Sequence, residues 1–267
     1  MTGLLVLWDL DYTLADTSGV GRRLYQLAFA EMFGGELPRP GSMAGRTDRA
    51  IVLEVLTLAG LPEPGRQVRA FEAALAARAP QIADLVREQS RALPGAAAAL
   101  AALASYAPPA DASALPSASV AADSAGPRRA DAAADGHRGR YVVQSLLTGN
   151  IRELAEVKLG PLGLTEHLDL TVGAYGDASE VRADLVPVAR SRAALAYGRD
   201  FGGQATVLVG DTPHDIEAAL VTGARAVGVA TGSFSAADLA AAGAHAVLAD
   251  LTDTRQVLAA ILAAPAS

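Results

Sequence analysis

Two aspartates, Asp9 and Asp11, stand where a short apolar stretch of the chain ends, in the segment LLVLWDLDYT. The five apolar residues before Asp9 are typical of a buried strand, so both carboxylates would lie at the mouth of that strand. A carboxylate in such a position can attack phosphorus and form an aspartyl-phosphate. The pair of aspartates therefore indicates a catalytic site, whose other members have to come from elsewhere in the chain.

Two further aspartates, Asp211 and Asp215, follow the apolar segment ATVLVG. Each of the four acidic residues, taken alone, is also compatible with a helix cap or a turn. Together they would converge on one crevice, because ligands of a parallel sheet bind beyond the carboxyl ends of its strands. Crowded carboxylates repel one another, and Mg²⁺ prefers oxygen ligands. The acidic set therefore predicts Mg²⁺ as the cofactor.

A phosphoryl group bound in this crevice would also need hydrogen-bond donors and a cation. Thr148 follows the apolar segment YVVQSLL and offers a hydroxyl, and Gly149 and Asn150 continue the same predicted substrate-binding segment. Arg182 and Lys158 are the candidates for the cation. A solvated position on a helix surface is the alternative for either of these two side chains.

The alternation of apolar segments with helical patterns predicts an α/β fold with a doubly wound parallel sheet. Residues 1–15 and 92–267 would form this core, in which 168–176 is the weakest strand pattern. Residues 16–91 show helical spacing without a strand pattern and predict an inserted all-helical cap domain. Residues 107–139 contain few large apolar side chains to bury, and they predict a flexible surface insert.

The composition of the chain disfavours several classes of function. A net charge of −7 is unfavourable for a nucleic-acid or anionic-membrane partner, since both attract Lys and Arg. The absence of cysteine excludes disulfides, thiolate catalysis and zinc–thiolate sites. No apolar segment has the length of a membrane span or of a signal-peptide core. We therefore expect a cytoplasmic protein with no nucleic-acid, membrane or obligate protein partner.

Three motifs together resemble those of the haloacid dehalogenase-like (HAD) phosphohydrolases, in the order that this superfamily uses. The segment DLDYT resembles its DxDxT signature, LLTGN its second motif, and VLVGDTPHD its fourth motif, GDxxxD. The third motif is a basic residue, and Arg182 in RADLVPVA resembles it, although Lys is usual there. Lys158 is the alternative. Tyr12 stands where Gly is common.

The resemblance implies a Rossmann-like core and a role for each motif residue. Asp9 would be the nucleophile and a Mg²⁺ ligand. Asp11 would be the general acid, with its backbone carbonyl on the metal, and its presence points to phosphate esters rather than to dehalogenation. Thr148 would bind phosphoryl oxygens, while Asp211 and Asp215 would complete the metal site.

The segment MAGRTDRAI, residues 43–51, is similar to a cap loop of phosphoglycolate-phosphatase-like and β-phosphoglucomutase-like members. The similarity implies that Arg46 and Thr47 contact the substrate. Capping of the helix that follows is the alternative for Thr47 and for Asp48.

The sequence thus predicts a Mg²⁺-dependent phosphomonoesterase that acts on a small phosphorylated metabolite through an aspartyl-phosphate. A phosphomutase of the β-phosphoglucomutase kind is the first alternative, since it would use the same residues. A HAD-like binding protein without catalysis is the second. Neither the substrate nor the oligomeric state follows from the sequence.

Overall fold

The computed structural model describes residues 2–17, 19–106 and 140–263. The insert predicted at 107–139 lies outside the described residues. The strands are β1 Thr2–Trp8, β2 Ala15–Asp16, β3 Arg91–Ala92, β4 Arg140–Leu146, β5 Thr206–Gly210, β6 Arg225–Val229 and β7 Ala246–Leu248. The α-helices are α1 Val20–Phe33, α2 Asp48–Leu58, α3 Pro64–Arg78, α4 Ala83–Gln89, α5 Ala96–Ala104, α6 Arg152–Leu159, α7 Leu185–Tyr197, α8 Pro213–Val221, α9 Ala236–Ala241 and α10 Thr254–Leu262.

Five of the strands form a parallel sheet in the order β4-β1-β5-β6-β7. Side chains of β1 alternate between two apolar clusters, since Val6 and Trp8 pack on one face and Leu5 and Leu7 on the other. Helices α5, α6 and α10 cover the first face, and α7, α8 and α9 cover the second. The predicted doubly wound α/β fold is confirmed.

The strand order brings three strand ends together. Because β1 lies between β4 and β5, the residues that follow these strands meet at one edge of the sheet. Direct hydrogen bonds continue past the strands, from the Asp9 amide to the Val209 carbonyl at 2.8 Å and from the Leu147 amide to the Trp8 carbonyl at 2.9 Å. Backbone hydrogen bonds therefore hold the three strand ends together at the point where the predicted site residues begin.

The weak strand pattern at 168–176 does not form a strand of the sheet. It contacts the end of β4 through a few separate backbone hydrogen bonds, from the Asp169 amide to the Gln144 carbonyl and from the Ala174 amide to the Leu146 carbonyl, and through an isolated bridge between Leu147 and Ala174. The carboxylate of Asp169 accepts hydrogen bonds from the amide and the hydroxyl of Thr171, which fold the backbone into a turn. This local turn competes with an extended conformation and explains the difference from the expectation.

The helices α1 to α4 enclose a third apolar cluster, in which Tyr25, Val55 and Phe71 are buried. Ile151 and Leu154 of the sheet-bearing part belong to the same cluster, so this helical layer packs directly against α6. The chain enters and leaves the layer through the antiparallel pair β2 and β3, where Ala15 lies opposite Ala92.

The start of α2 is bound to the loop that follows β4. The Asp48 amide donates to the Gly149 carbonyl at 2.6 Å, and the Asp48 carboxylate accepts from the Ile151 amide at 2.7 Å. A side chain at position 149 would place its Cβ 2.0 Å from the Arg46 carbonyl oxygen. Glycine at this position is thus required for the close approach of the two loops.

Within the described residues, none of the helices combines the length and the apolar character that crossing a membrane requires.

We expect Gly149→Ala to lower the free energy of unfolding by ~1–3 kcal/mol, because the added methyl group collides with backbone that has to move. Gly160→Ala is the matched control, since no atom lies within 4 Å of its added Cβ. It should change stability by less than ~1 kcal/mol, in the stabilising direction. Urea unfolding measures both variants. Equal losses would contradict the close approach of the two loops.

Candidate active site

A cavity of about 230 Å³ lies between the carboxyl edge of the sheet and the helical layer. Most of the residues predicted to form the site line this cavity: Asp9, Asp11, Arg46, Thr148, Gly149, Asn150, Lys158, Arg182 and Asp211. Thr47 and Asp215 stand behind the lining, where both are buried. Residues at the ends of strands that are far apart in sequence thus lie together around this cavity.

Three buried carboxylates lie together at the cavity, with Asp9 and Asp211 in its lining and Asp215 behind them. One oxygen each from Asp9, Asp211 and Asp215 lies within 4.8 Å of the others. The guanidinium of Arg182 reaches into this group, with Nη2 at 2.8 Å from Asp9 Oδ1 and 2.6 Å from Asp215 Oδ1. One cation balances only part of the charge that three ionised carboxylates carry.

The electrostatics of the three carboxylates reflect this imbalance. Burial raises the pKa of Asp211 well above its ordinary value, and repulsion from Asp9 and Asp215 adds to the rise. Burial also raises the pKa of Asp9, against the lowering effect of the Arg182 charge. A hard divalent cation with oxygen ligands would relieve this repulsion, so the donor set fits Mg²⁺.

The turn after β5 fixes the position of Asp215. The side chain of Thr212 caps α8 by accepting from the Asp215 amide, and Asp215 Oδ2 accepts in return from the Thr212 amide at 3.1 Å. The Asp215 side chain thus takes part in the helix cap, which was the alternative interpretation, and it also belongs to the acidic group that is expected to bind the metal. Its Oδ1 faces Arg182, whereas its Oδ2 serves the cap.

Glycine at position 232 leaves the space that the Asp211 carboxylate occupies. A Cβ at Gly232 would lie 1.8 Å from Asp211 Oδ2. The loop after β6 therefore passes directly against the Asp211 carboxylate, which a larger side chain would displace.

Asp11 also lines the cavity, but its side chain belongs to a different hydrogen-bond network from that of Asp9. Lys158 Nζ contacts both carboxylate oxygens of Asp11, at 2.8 and 2.7 Å. Asn150 Nδ2 donates to Asp11 Oδ2 at 2.8 Å, and the hydroxyl of Thr17 donates to Oδ1. Although burial opposes ionisation, the Lys158 charge and these hydrogen bonds hold the pKa of Asp11 below its ordinary value.

The two candidate cations therefore attach to different aspartates. Arg182 contacts Asp9, and Lys158 contacts Asp11. Thr148 is fully buried at the end of β4, where its hydroxyl accepts from Asn150 Nδ2 at 2.8 Å. Arg182 also donates to the carbonyl of Leu147, so it is held beside the same strand end.

The two residues of the predicted cap loop behave differently. Thr47 caps α2, since its hydroxyl oxygen accepts from the Ala50 amide at 3.3 Å, and it donates to the Glu180 carbonyl at 3.2 Å. Arg46 lines the cavity, but its guanidinium is paired with Glu54 and donates to the Ser42 carbonyl. Both side chains thus have partners within the protein.

Sequence reasoning missed several polar residues at the site, among them Thr17, Arg22 and Asp48. Thr17 holds Asp11, and Arg22 of α1 lines the cavity. Asp48 is a buried member of the cavity lining, where burial raises its pKa to about 6 despite hydrogen bonds from the Ile151 amide and the Tyr25 hydroxyl. In the sequence, Asp48 has only the signature of a residue in the first turn of a helix, and the other two carry no motif.

Comparison with known proteins agrees with the fold and with one part of the site. Residues 181–254, which include Arg182, Asp211 and Asp215, match the family described as HAD-hydrolase-like. No curated protein gives a significant sequence match. The resemblance to HAD-like hydrolases is confirmed over the matched segment, whereas Asp9, Asp11 and Thr148 lie outside it.

Solved structures with the same fold extend the agreement to almost the whole chain. A hydrolase from Pseudomonas syringae is 18% identical, covers 95% of this chain and 96% of its own, and has a TM-score of 0.58. A predicted phosphatase from Clostridium acetobutylicum is 16% identical, with coverages of 96% and 98% and a TM-score of 0.59. A haloacid dehalogenase-like family hydrolase from Streptococcus pneumoniae is 15% identical, with coverages of 97% and 98% and a TM-score of 0.55. At these identities the likeness shows the fold alone.

We expect Arg182→Met to destabilise the protein by ~3–5 kcal/mol in the presence of a chelator, because it leaves buried carboxylates without their cation. Arg152→Met is the control, since Arg152 forms an exposed pair with Glu156 on α6. Its loss should cost less than ~1 kcal/mol. Chemical denaturation at neutral pH compares the two. A small, equal effect of both substitutions would contradict the central position given to Arg182.

Proposed function

We propose that this protein is a Mg²⁺-dependent phosphomonoesterase that hydrolyses a small phosphorylated metabolite through an aspartyl-phosphate on Asp9. One observation carries the proposal: Asp9 lies in a buried group of three carboxylates, and a second aspartate, Asp11, enters the same cavity from a separate network. The attack uses Asp9 in its ionised form, whereas Asp11, which the pair with Lys158 holds ionised in this structure, has to take up a proton before it can act as the donor.

Asp9, Asp211 and Asp215, together with the backbone carbonyl of Asp11, would hold the Mg²⁺ ion. When bound, the ion supplies positive charge that screens the carboxylates from each other and from an incoming phosphate. The fit of the donor set rests on three buried oxygens within 4.8 Å of one another and on their excess of negative charge.

The chemistry would proceed in two transfers. A carboxylate oxygen of Asp9 would form a bond to phosphorus as the bond to the leaving oxygen breaks. Asp11, protonated and released from its ion pair with Lys158, would give its proton to that oxygen. Asp11 then takes a proton from a water molecule, whose oxygen attacks the same phosphorus. This second transfer releases phosphate and restores the Asp9 carboxylate.

Arg182 and Thr148 would hold the phosphoryl oxygens during both transfers. Arg182 already lies beside the nucleophile, at 2.8 Å from Asp9 Oδ1. Thr148 follows the end of the neighbouring strand β4 and is among the residues that line the same cavity. Donors fixed in advance cost little reorganisation as negative charge develops.

The helical segment 16–91 would act as a cap domain over a core formed by 1–15 and 92–267. Support comes from its separate apolar cluster and from the two short strands β2 and β3, which join the segment to the core. A cavity enclosed between these parts would keep bulk water from the phosphoryl group.

A sugar phosphomutase is the second candidate function. It would use the same first transfer and then return the phosphoryl group to a sugar hydroxyl. The position of the cavity beneath a helical layer favours it, because exclusion of water serves such a transfer. A Thermotoga maritima protein with an inferred beta-phosphoglucomutase activity shares the fold at 17% identity and a TM-score of 0.52. Dependence of turnover on a sugar bisphosphate would favour this candidate over hydrolysis.

Asp9→Asn should reduce phosphate release from an aryl phosphate by at least ~10⁴-fold, because the amide lacks the attacking charge. Asp84→Asn is the control: it makes the same chemical change on α4, where the side chain is 86% exposed. A colorimetric phosphate assay with added Mg²⁺, together with circular dichroism to verify folding, measures both. Near-normal turnover by folded Asp9→Asn would refute the nucleophile assignment.

Mg²⁺ should raise the thermal unfolding midpoint of the wild-type protein, because it binds only the folded state. At a hundred times its Kd the gain is about 2.7 kcal/mol. Asp211→Asn should lose this response while unfolding no earlier than wild type in chelator, since it removes a source of repulsion. Asp84→Asn should respond as wild type does. An undiminished Mg²⁺ response in Asp211→Asn would contradict the metal site.

A further inference from the structure

The helical layer contributes an apolar share to the lining of the cavity. Met43, Ala44 and Ile51 come from this layer, and Leu154 of α6 adds a fourth apolar side chain. In a displacement at phosphorus the leaving oxygen stands roughly opposite the attacking oxygen. Because the cavity lies between the carboxyl edge of the sheet and the helical layer, attack by Asp9 would direct the alcohol part of the ester toward this layer.

Most polar side chains that residues 16–91 bring to the cavity already have partners within the protein. The pairs are Thr17 with Asp11, Tyr25 with Asp48, and Arg46 with Glu54. Arg22 has no partner within the described residues, but its side chain is exposed and also lines two neighbouring surface cavities, so water solvates its charge. The helical layer therefore offers few unused hydrogen-bonding groups to the alcohol.

This shortage of partners discriminates between kinds of alcohol. A sugar would bring several hydroxyl groups into the cavity, and each one that loses water without gaining a partner weakens binding. An apolar alcohol has no such groups, and its contact with Met43 and Ile51 removes apolar surface from water, which is favourable.

Tyr12 adds an aromatic ring to the same cavity from the loop after β1. Its backbone lies in the left-handed region, with φ at 59°, where a bulky side chain is uncommon and glycine is unstrained. The Tyr12 amide donates to the Ala15 carbonyl at 2.8 Å, and the Tyr12 carbonyl accepts from the Thr231 hydroxyl. The side chain is 42% exposed, so packing of the core does not account for the ring.

We infer that the substrate is a phosphate monoester of a mainly apolar alcohol, and that Tyr12 and Met43 determine this specificity by contacting the alcohol. The inference rests on the proposed function, since it concerns the leaving group of that reaction. It also separates the two candidate functions, because a sugar phosphomutase would need partners for the hydroxyl groups of its substrate.

Two phosphate esters of similar shape test the inference. Cyclohexylmethyl phosphate and glucose 6-phosphate both carry a six-membered ring on a methyl phosphate, and they differ mainly in the hydroxyl groups. With Mg²⁺ present, the kcat/KM of the wild-type protein should be at least ~10-fold higher for cyclohexylmethyl phosphate. Phosphate release measures both reactions.

Variants of Tyr12 test whether its ring produces this preference. Tyr12→Asn removes the ring but keeps a residue type that tolerates the left-handed backbone, and it should lower the ratio of the two kcat/KM values by roughly 5- to 20-fold. Tyr12→Phe keeps the ring and should preserve the ratio within about twofold.

Met43→Gln gives an independent test from the helical layer, remote in sequence from the catalytic aspartates. It keeps the length of the side chain but adds polar atoms, and it should lower the same ratio by roughly threefold to tenfold. Met32→Gln is the matched control, because Met32 packs against the apolar cluster of the helical layer and does not line this cavity. It should leave the ratio within about twofold of the wild-type value.

A wild-type protein that hydrolyses glucose 6-phosphate as well as or better than cyclohexylmethyl phosphate would overturn the inference and leave the proposed function in place. A ratio that is unchanged in both Tyr12→Asn and Met43→Gln, or that falls equally in Met32→Gln, would also overturn it. Failure of the wild-type protein to release phosphate from either ester or from an aryl phosphate would overturn the proposed function and the inference with it.

Discussion

The burial of three carboxylates at one edge of the sheet is the constraint on which the rest of the structure depends. Asp9, Asp211 and Asp215 are each at most 6% exposed, although like charges at this distance repel one another. Arg182 compensates for part of that repulsion, and its own burial is tolerable only because two of these carboxylates accept from it. The surrounding loops have to leave space for these carboxylates, as the glycine at position 232 does beside Asp211.

A second consequence is the separation of charge within one cavity. Asp11 lies close to Asp9 in sequence, yet its side chain joins Lys158 and Asn150 rather than the group of three carboxylates. One aspartate thereby faces an acidic group with too few cations, and the other faces a cation of its own. A parallel sheet makes this arrangement accessible, because each strand end contributes an independent loop to the same edge.

Much of this organisation was predictable from local patterns. Short Val- and Leu-rich runs ending at Asp9, Thr148 and Asp211 indicated buried parallel strands whose ends meet, and the sheet has that form. The assignment of each cation to an aspartate was not predictable, because it depends on how α6 and the turn at Arg182–Asp184 pack. The role of Thr17 escaped prediction for a related reason, since nothing in its local sequence distinguishes it from an ordinary turn residue.

The central claim is that Asp9 becomes covalently phosphorylated during turnover. Rapid acid quenching of the protein with substrate and Mg²⁺, followed by mass spectrometry of its peptides, tests this claim most directly. The account predicts one phosphoryl group on the peptide that contains Asp9, absent without substrate and absent in Asp9→Asn. A turning-over protein whose phosphoryl group appeared on another residue, or on none at any quench time, would contradict it.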